Sequence, residues 1–318
     1  MNHMSKIGKM SIFLLALASL GIGAIAQTYS FSGGPSGGTF QYYAGAISQI
    51  SKDAGVRVLA RASKGSIENI RLVNSGKSQL SVAYSGHVFA ALNGKLKNDD
   101  KVYDQVLALA YCYGAPAQLV VKANSGITSA SQLKGKRVGV GNPGSGAAAN
   151  AELFFTNLGI WDDMGHEFLG YRQAAAAFKN GQLDAFWVFA GFPNASVLEA
   201  ALQSKVQLIN VYADGERIEL FKNYPYFSKV VIPADTYKGQ TEDVTTFQDS
   251  TIWVANANVP EDSVYKLLQT VFSEKGLAHM VSAHKSAKNM TVENALNGIV
   301  TPLHPGAERF WREKGILK

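Results

Sequence analysis

Two turns built from Gly, Pro and Ser carry the residue types best suited to holding a ligand: Gly33-Gly34-Pro35-Ser36-Gly37-Gly38-Thr39 and Gly141-Asn142-Pro143-Gly144-Ser145-Gly146. Each follows a strand-like run and opens onto a helical pattern. A helix start leaves backbone N–H groups unpaired and carries the positive end of the helix dipole, so it suits a carboxylate, a phosphate or another electron-rich group. The same turns match two catalytic patterns. Gly34-Pro35-Ser36-Gly37-Gly38 fits the G-x-S-x-G nucleophile elbow and raises an exported serine hydrolase using Ser36 as the alternative reading. Ser36 stands too close behind the expected mature start, Gln27, for the strands and oxyanion loop that precede such a nucleophile. None of His87, His166, His279, His284 and His304 has a triad context. Gly139-Val140-Gly141-Asn142-Pro143-Gly144 fits G-x-G-x-x-G, with Asp162 and Asp163 downstream. A dinucleotide is scarce outside the cytoplasm, and Pro143 removes an N–H from the turn. Neither turn ends in the Lys-Ser/Thr of a P-loop. His279 and His284 are five apart and miss the i, i+3 or i, i+4 spacing of helical metal ligands. The residues therefore point to a non-enzymatic binder with no catalytic residue, no metal and no cofactor.

The N-terminus has the form of an export signal. Lys6 and Lys9 precede the apolar run Ile12-Phe13-Leu14-Leu15-Ala16-Leu17-Ala18, and Ala24-Ile25-Ala26 fits the small-residue rule for signal peptidase. Residues 1–26 are read as a signal peptide, cleaved after Ala26 to release a periplasmic protein. The apolar core is shorter than the roughly 20 residues a membrane span needs, and Gly21 and Gly23 interrupt it. No cysteine follows it to carry a lipid. Cys112 is the only cysteine in the 318 residues and lies in an apolar run, so an intramolecular disulfide is excluded and the thiol reads as a small buried hydrophobe. The formal charge of +6 falls to +4 without Lys6 and Lys9, with the basic residues scattered, which gives nucleic-acid binding no support.

Beyond the signal, short apolar runs alternate with helical stretches, as a parallel α/β sheet requires. Strands are expected at 29–31, 56–60, 80–84, 106–111, 136–140 and 185–189. Helices are expected at 39–52, 66–74, 147–158 and 173–179, and amphipathic helices at 261–272, 277–283 and 307–314 pack on the first lobe. The plan occurs twice. Gly37 and Gly76 are 39 positions apart, Gly144 and Gly181 are 37 apart, and Gly76 and Gly181 each stop a helix before a Leu that begins a buried strand. Two doubly wound lobes follow, 27–119 with 249–318 and 120–248. They are joined by strands at 118–121 and 251–255 that make a two-strand hinge. Open α/β sheets bind ligands at the carboxyl ends of their strands, so the expected site is the cleft between lobes.

The ordered motifs Gly37-Gly38-Thr39-Phe40-Gln41-Tyr42-Tyr43, Gly65-Ser66-Ile67-Glu68-Asn69-Ile70-Arg71-Leu72, Gly181-Gln182-Leu183-Asp184-Ala185, Ile232-Pro233-Ala234-Asp235-Thr236-Tyr237 and Pro302-Leu303-His304-Pro305-Gly306-Ala307 resemble the TAXI family of solute-binding proteins, which serve TRAP transporters. The resemblance spans nearly the whole mature chain. It implies a type II periplasmic-binding-protein fold and capture of a small organic acid, a glutamate-like amino acid or a dicarboxylate, by a monomer. Delivery is to the membrane subunits of a TRAP permease; a sensory receptor is the other rival. Carried over by position, the ligand residues are Gly37, Gly38, Thr39 and Tyr42 in the first loop and Ser63, Gly65, Ser66 and Asn69 in the second. Tyr84 and Ser85 form the third. Ser145, Gly146, Ala147, Phe189, Phe192 and Pro193 come from the other lobe. Thr39, Ser66 and Ser145 equally suit plain N-caps. The first lobe has Gly76-Lys77-Ser78-Gln79-Leu80-Ser81 where relatives commonly carry an acidic residue. No arginine falls on a motif position that would fix a ligand carboxylate; Arg61 and Arg172 are the candidate cations, Arg172 because it opens a cleft-side helix. N-terminal sequencing of the protein recovered from a periplasmic fraction is expected to begin at Gln27, and a chain retaining Lys6 and Lys9 would overturn the export reading.

Overall fold

The computed structural model describes residues 28–96, 98–224 and 226–318; the expected signal peptide and its cleavage site lie outside them. In chain order the first elements are β1 (Thr28–Ser32), α1 (Thr39–Ile50), β2 (Arg57–Arg61), α2 (Ser66–Asn74), β3 (Leu80–Tyr84), α3 (Ser85–Leu92) and β4 (Val106–Lys122). Then come β5 (Arg137–Gly139), α4 (Gly146–Asn157), β6 (Gly165–Glu167), α5 (Tyr171–Lys179), β7 (Ala185–Phe189), α6 (Ala195–Gln203) and β8 (Val206–Ile209). The chain continues through α7 (Val211–Arg217), α8 (Leu220–Asn223), β9 (Ser228–Ile232) and β10 (Val244–Asn256), and finishes with α9 (Glu261–Val271), α10 (Glu274–Ala283) and α11 (Pro305–Glu313).

The expected α/β alternation is present and its physical signals act as read. Every residue of Leu80-Ser81-Val82-Ala83-Tyr84 and of Ala185-Phe186-Trp187-Val188-Phe189 is buried, as continuous apolar runs in a covered parallel sheet should be. Gly76 and Gly181 both take positive φ, 70° and 72°, immediately after α2 and α5, where an L side chain would be strained. The strand order also repeats. In one half β2-β1-β3 run parallel, with β10 antiparallel beside β3; in the other β6-β5-β7 run parallel, with β4 antiparallel beside β7. This is the type II periplasmic-binding-protein fold.

One expectation changes in detail. The runs at 106–111 and 118–121 are a single strand of 17 residues, because Gly114-Ala115-Pro116 between them stays extended and pairs with Ser250, Asp249 and Gln248 of β10. Pro116 lacks an N–H but lies where β4 exchanges partners, so little ladder bonding is lost. At Gly114 a Cβ would fall 1.8 Å from Gln248 Oε1, so a larger residue there would need the end of the Gln248 side chain to swing aside. The C-terminal helices cover the first half: Tyr29 donates to Ser263 Oγ at 2.9 Å, and Trp311 Nε1 donates to Leu109 O at 2.7 Å. In the second half Trp187 stacks on Phe154 at 5.4 Å and packs with Phe189 and Phe247. Among the described residues no helix is long and apolar enough to cross a membrane.

β10 carries an unusual group where it passes between the halves. Asp249 is 1% exposed, and its Oδ1 accepts a long hydrogen bond from Gly86 N–H at 3.5 Å. Gly86 admits the carboxyl because it has no side chain: a Cβ would stand 3.0 Å from Asp249 Oδ2 and 2.9 Å from the Tyr226 ring. Burial pushes the Asp249 pKa up from 3.8 to about 8, so the group is mostly protonated at neutral pH. The unfolded chain releases this proton near pH 4 and the folded one near pH 8, so stability falls across that window as pH rises, by at most about 1.4 kcal/mol per pH unit. Urea unfolding of Asp249→Asn, which keeps the shape without the ionisation, is expected to show a gain over the parent protein that widens from pH 5 to pH 8. Parallel pH profiles would show that the carboxyl ionises freely in the fold.

Candidate ligand-binding site

Five helices begin where strands end on the inner edges of the two halves: α1 after β1, α2 after β2, α3 after β3, α4 after β5 and α5 after β6. Their N-cap residues are Gly38, Gly65, Tyr84, Ser145 and Gly170, and all five line one narrow cavity between the halves. Three of these caps are glycines, with no side chain to occupy the free N–H groups of the first turn. Gly65 has φ 115° and ψ −157°, a conformation closed to other residues, so the chain admits only glycine there. Ser145 is the exception, its Oγ accepting from Ala148 N at 3.0 Å. Each such terminus favours an anion by about 0.3–1 kcal/mol at a surface and up to about 2 kcal/mol when partly buried.

The walls are aromatic. Phe40 packs edge-on against Tyr84 at 5.0 Å and Tyr84 against Phe189 at 5.1 Å, while Pro35, Ala147 and Tyr171 complete the apolar lining. The tyrosine hydroxyls meet at one carbonyl: Tyr84 and Tyr171, from opposite halves, both donate to Phe189 O, Tyr171 at 3.0 Å. Burial raises both phenol pKa values, so they remain protonated donors.

Further hydrogen bonds cross between the halves. Thr39 Oγ1 donates to Gly191 O at 3.2 Å, and Asn194 Nδ2 donates to Gly37 O at 3.2 Å. His284 Nδ1 accepts from Ser286 N–H at 3.2 Å, which leaves the proton on Nε2 to donate to Pro193 O at 3.1 Å. Burial holds the His284 pKa below its usual value and brings that of His87 down to about 4, so both rings are neutral. His87 Nδ1 lies 3.1 Å from Ser66 Oγ, which also accepts from Tyr84 N at 2.9 Å. Facing this pair is Gly146 of α4, where a Cβ would approach Ser66 Cβ to 2.7 Å and the His87 ring to 2.9 Å.

Of the residues expected from sequence, Gly38, Thr39, Gly65, Ser66, Tyr84, Ser145, Ala147 and Phe189 line the cavity. Gly37, Gly146 and Pro193 instead make the contacts between halves just described. Tyr42 is 39% exposed and packs on His284 at 5.5 Å; it is Phe40, two residues earlier on α1, that faces the cavity. Ser63 and Asn69 stand behind the lining, where Asn69 Nδ2 donates to Gly33 O at 2.6 Å and to Val82 O at 2.9 Å. Ser85 donates to Gly298 O, away from the cavity, and Phe192 is half-buried outside it. Arg172 is exposed: Tyr171 faces inward, and the next helical position is turned by about 100°. Arg61 is also exposed and off the lining.

Phe40, Lys64, Asn142, Gly170, Tyr171, Pro35 and Ala190 line the cavity without having been singled out. Gly170-Tyr171 had a signal, since Gln173 stands three residues after the cap and its Oε1 accepts from Gly170 N at 3.2 Å. Among the described residues no group of three His, Cys, Asp or Glu side chains forms a metal site. Ser36 is exposed, and among the described residues no histidine hydrogen-bonds to it and no carboxylate hydrogen-bonds to His87.

The sequence model of the NMT1-like family matches residues 31–315. A solved structure from Bordetella bronchiseptica RB50 is similar at 17% identity and a TM-score of 0.52, covering 87% of this chain and 83% of that one. A structure described as a periplasmic transporter is similar at 16% identity and a TM-score of 0.53, covering 91% and 93%. At such identities the likeness concerns the fold alone.

Asn69 ties the first glycine loop to β3 from a fully buried position, so Asn69→Ala removes the bridge between Gly33 O and Val82 O and leaves those carbonyls only Ser63 Oγ at 3.0 Å and Ser81 Oγ at 3.3 Å. It is expected to cost about 1–3 kcal/mol in chemical unfolding, since two buried hydrogen bonds are lost at about 0.5–1.5 kcal/mol each. A loss below about 0.5 kcal/mol would show that the loop does not depend on this side chain.

Proposed function

The chain belongs to the NMT1-like family, and we propose that it is an extracytoplasmic solute receptor which captures a small organic anion by closure of two lobes and delivers it to a TRAP permease. The proposed lobes are 27–119 with 249–318 and 120–248, the protein is periplasmic after cleavage behind Ala26, and it works as a monomer. The observation that carries the reading is the convergence of five helix N-termini, three of them capped by glycine, on one enclosed cavity. Backbone N–H groups aimed into a space with aromatic walls hold an anion and do no bond-making chemistry. Delivery to a TRAP permease is supported by the TAXI-like motifs, which fall on α1, α2, the turn from α5 into β7, the segment after β9 and the start of α11.

Mechanically, β4 and β10 are the strands that serve both halves, and rotation about them separates the walls of the cavity. Binding draws Thr39, Asn194 and Tyr84 into the hydrogen bonds that bridge the cleft. Gly146 permits that approach. Gly146→Leu, whose added side chain meets Ser66 and His87, is expected to leave the unfolding midpoint within about a degree while weakening ligand binding at least about tenfold.

Thermal unfolding of residues 27–318 against a panel of carboxylates, sulfonates and amino acids tests the reading directly. A cognate ligand at a hundred times its dissociation constant adds about 2.7 kcal/mol, which raises Tm by several degrees in a saturable way. Turnover of an ester, abolished by Ser36→Ala, would replace the receptor with the hydrolase.

A further inference from the structure

We propose that the cavity selects an organic monoanion with an apolar body, a monocarboxylate bearing a ring or branched chain, over a zwitterionic amino acid or a dicarboxylate; the inference rests on the receptor reading of this same cavity. The charge inventory is the first ground. Among the described lining residues there is no Asp or Glu, and Lys64, exposed at the edge, is the one charged side chain. Glu68 lies near, but its carboxylate is engaged by the backbone N–H of Lys64 at 2.5 Å and is not part of the lining.

An α-ammonium group closed into this space needs a carboxylate or several free carbonyls. The backbone carbonyls of the Phe189 wall are already used. Phe189 O takes the hydroxyls of Tyr84 and Tyr171, Ala190 O takes Gln118 Nε2 at 2.8 Å, and beside them Gly191 O takes Thr39 Oγ1. A second carboxylate fares as badly, because a buried charge without a partner costs several kcal/mol and the lining holds no second cation.

The walls supply the second ground. Phe40, Tyr84 and Phe189 form a continuous edge-to-face set with centroids 5.0 and 5.1 Å apart, and such rings bury the flat or branched body of a ligand rather than a second polar end. Headgroup and body thus have separate places. The glycine-capped termini at Gly38, Gly65 and Gly170 receive the carboxylate, and the rings receive the remainder.

Matched pairs isolate the ammonium and the second carboxylate. Calorimetric titration of residues 27–318 with 3-phenylpropanoate and L-phenylalanine, which differ only in the α-ammonium, is expected to give at least about tenfold tighter binding of the acid. 4-Methylpentanoate is expected to exceed L-leucine and glutarate in the same way. L-Glutamate or glutarate binding tightly while both monoanions stay silent would overturn this inference and leave the receptor reading standing. No saturable heat from any of these acids or amino acids at millimolar concentration would overturn both. 2-Phenylethane-1-sulfonate, which keeps the ring and both methylenes of 3-phenylpropanoate, separates headgroups: affinity within about threefold of the carboxylate supports amide recognition of a monoanion in general. If phenylalanine equals phenylpropanoate, the missing counter-charge is irrelevant and the proposal fails.

Discussion

Two long strands shared between both halves are the constraint from which the rest follows. β4, with 17 residues, pairs with β10 and then with β7 and β8; β10, with 13, pairs with β9 and then with β3. Neither half has a complete sheet without them, so the separation and relative tilt of the inner strand edges are set by the path of two backbones. The parallel strands of each half end at those edges, and each hands the chain to a helix. The helix N-termini are therefore aimed at a common point by sheet geometry, and ten of the fifteen lining residues are caps or first-turn positions of those helices.

That arrangement explains the division of labour among the polar side chains. Few hydroxyls are left over for a ligand. Tyr84 and Tyr171 are spent on Phe189 O, Thr39 on Gly191 O, Ser66 on Tyr84 N and His87, and Ser145 on its own helix. The side chains shape the space and fasten one half to the other, while the groups with capacity to spare are the backbone amides behind Gly38, Gly65 and Gly170. Glycine at these places removes a competing side-chain cap and lets a ligand approach the main chain.

Much of this was legible in residue patterns. The repeat of glycine stops at Gly76 and Gly181, the unbroken apolar strands at 80–84 and 185–189, and the Ser and Gly turns before α1 and α4 all report local conformation, and each element formed where its pattern lay. The site was read less evenly. Residues carried by the helix starts themselves, such as Gly38, Ser66 and Ser145, landed on the cavity, because a cap is defined by its neighbours in sequence. Tyr42 and Arg172 lie off the lining, two residues from Phe40 and one from Tyr171, since each residue turns the helix by about 100° and only packing sets the rotation. Asp249 and His87 gave no warning, because their burial comes from elements far away in the chain.

The amino-acid sequence by itself determined the two-fold plan, the kinds of element and the glycine-bearing termini, because turn chemistry, helix stops and apolar runs act over a few neighbouring residues. Only the tertiary structure decided which hydroxyls remain free, that the lining holds no carboxylate, and that one inner surface is aromatic. Those properties depend on side chains from five helices and two crossing strands meeting in a space of molecular size, and such meetings are fixed by sheet twist and packing rather than by any local rule.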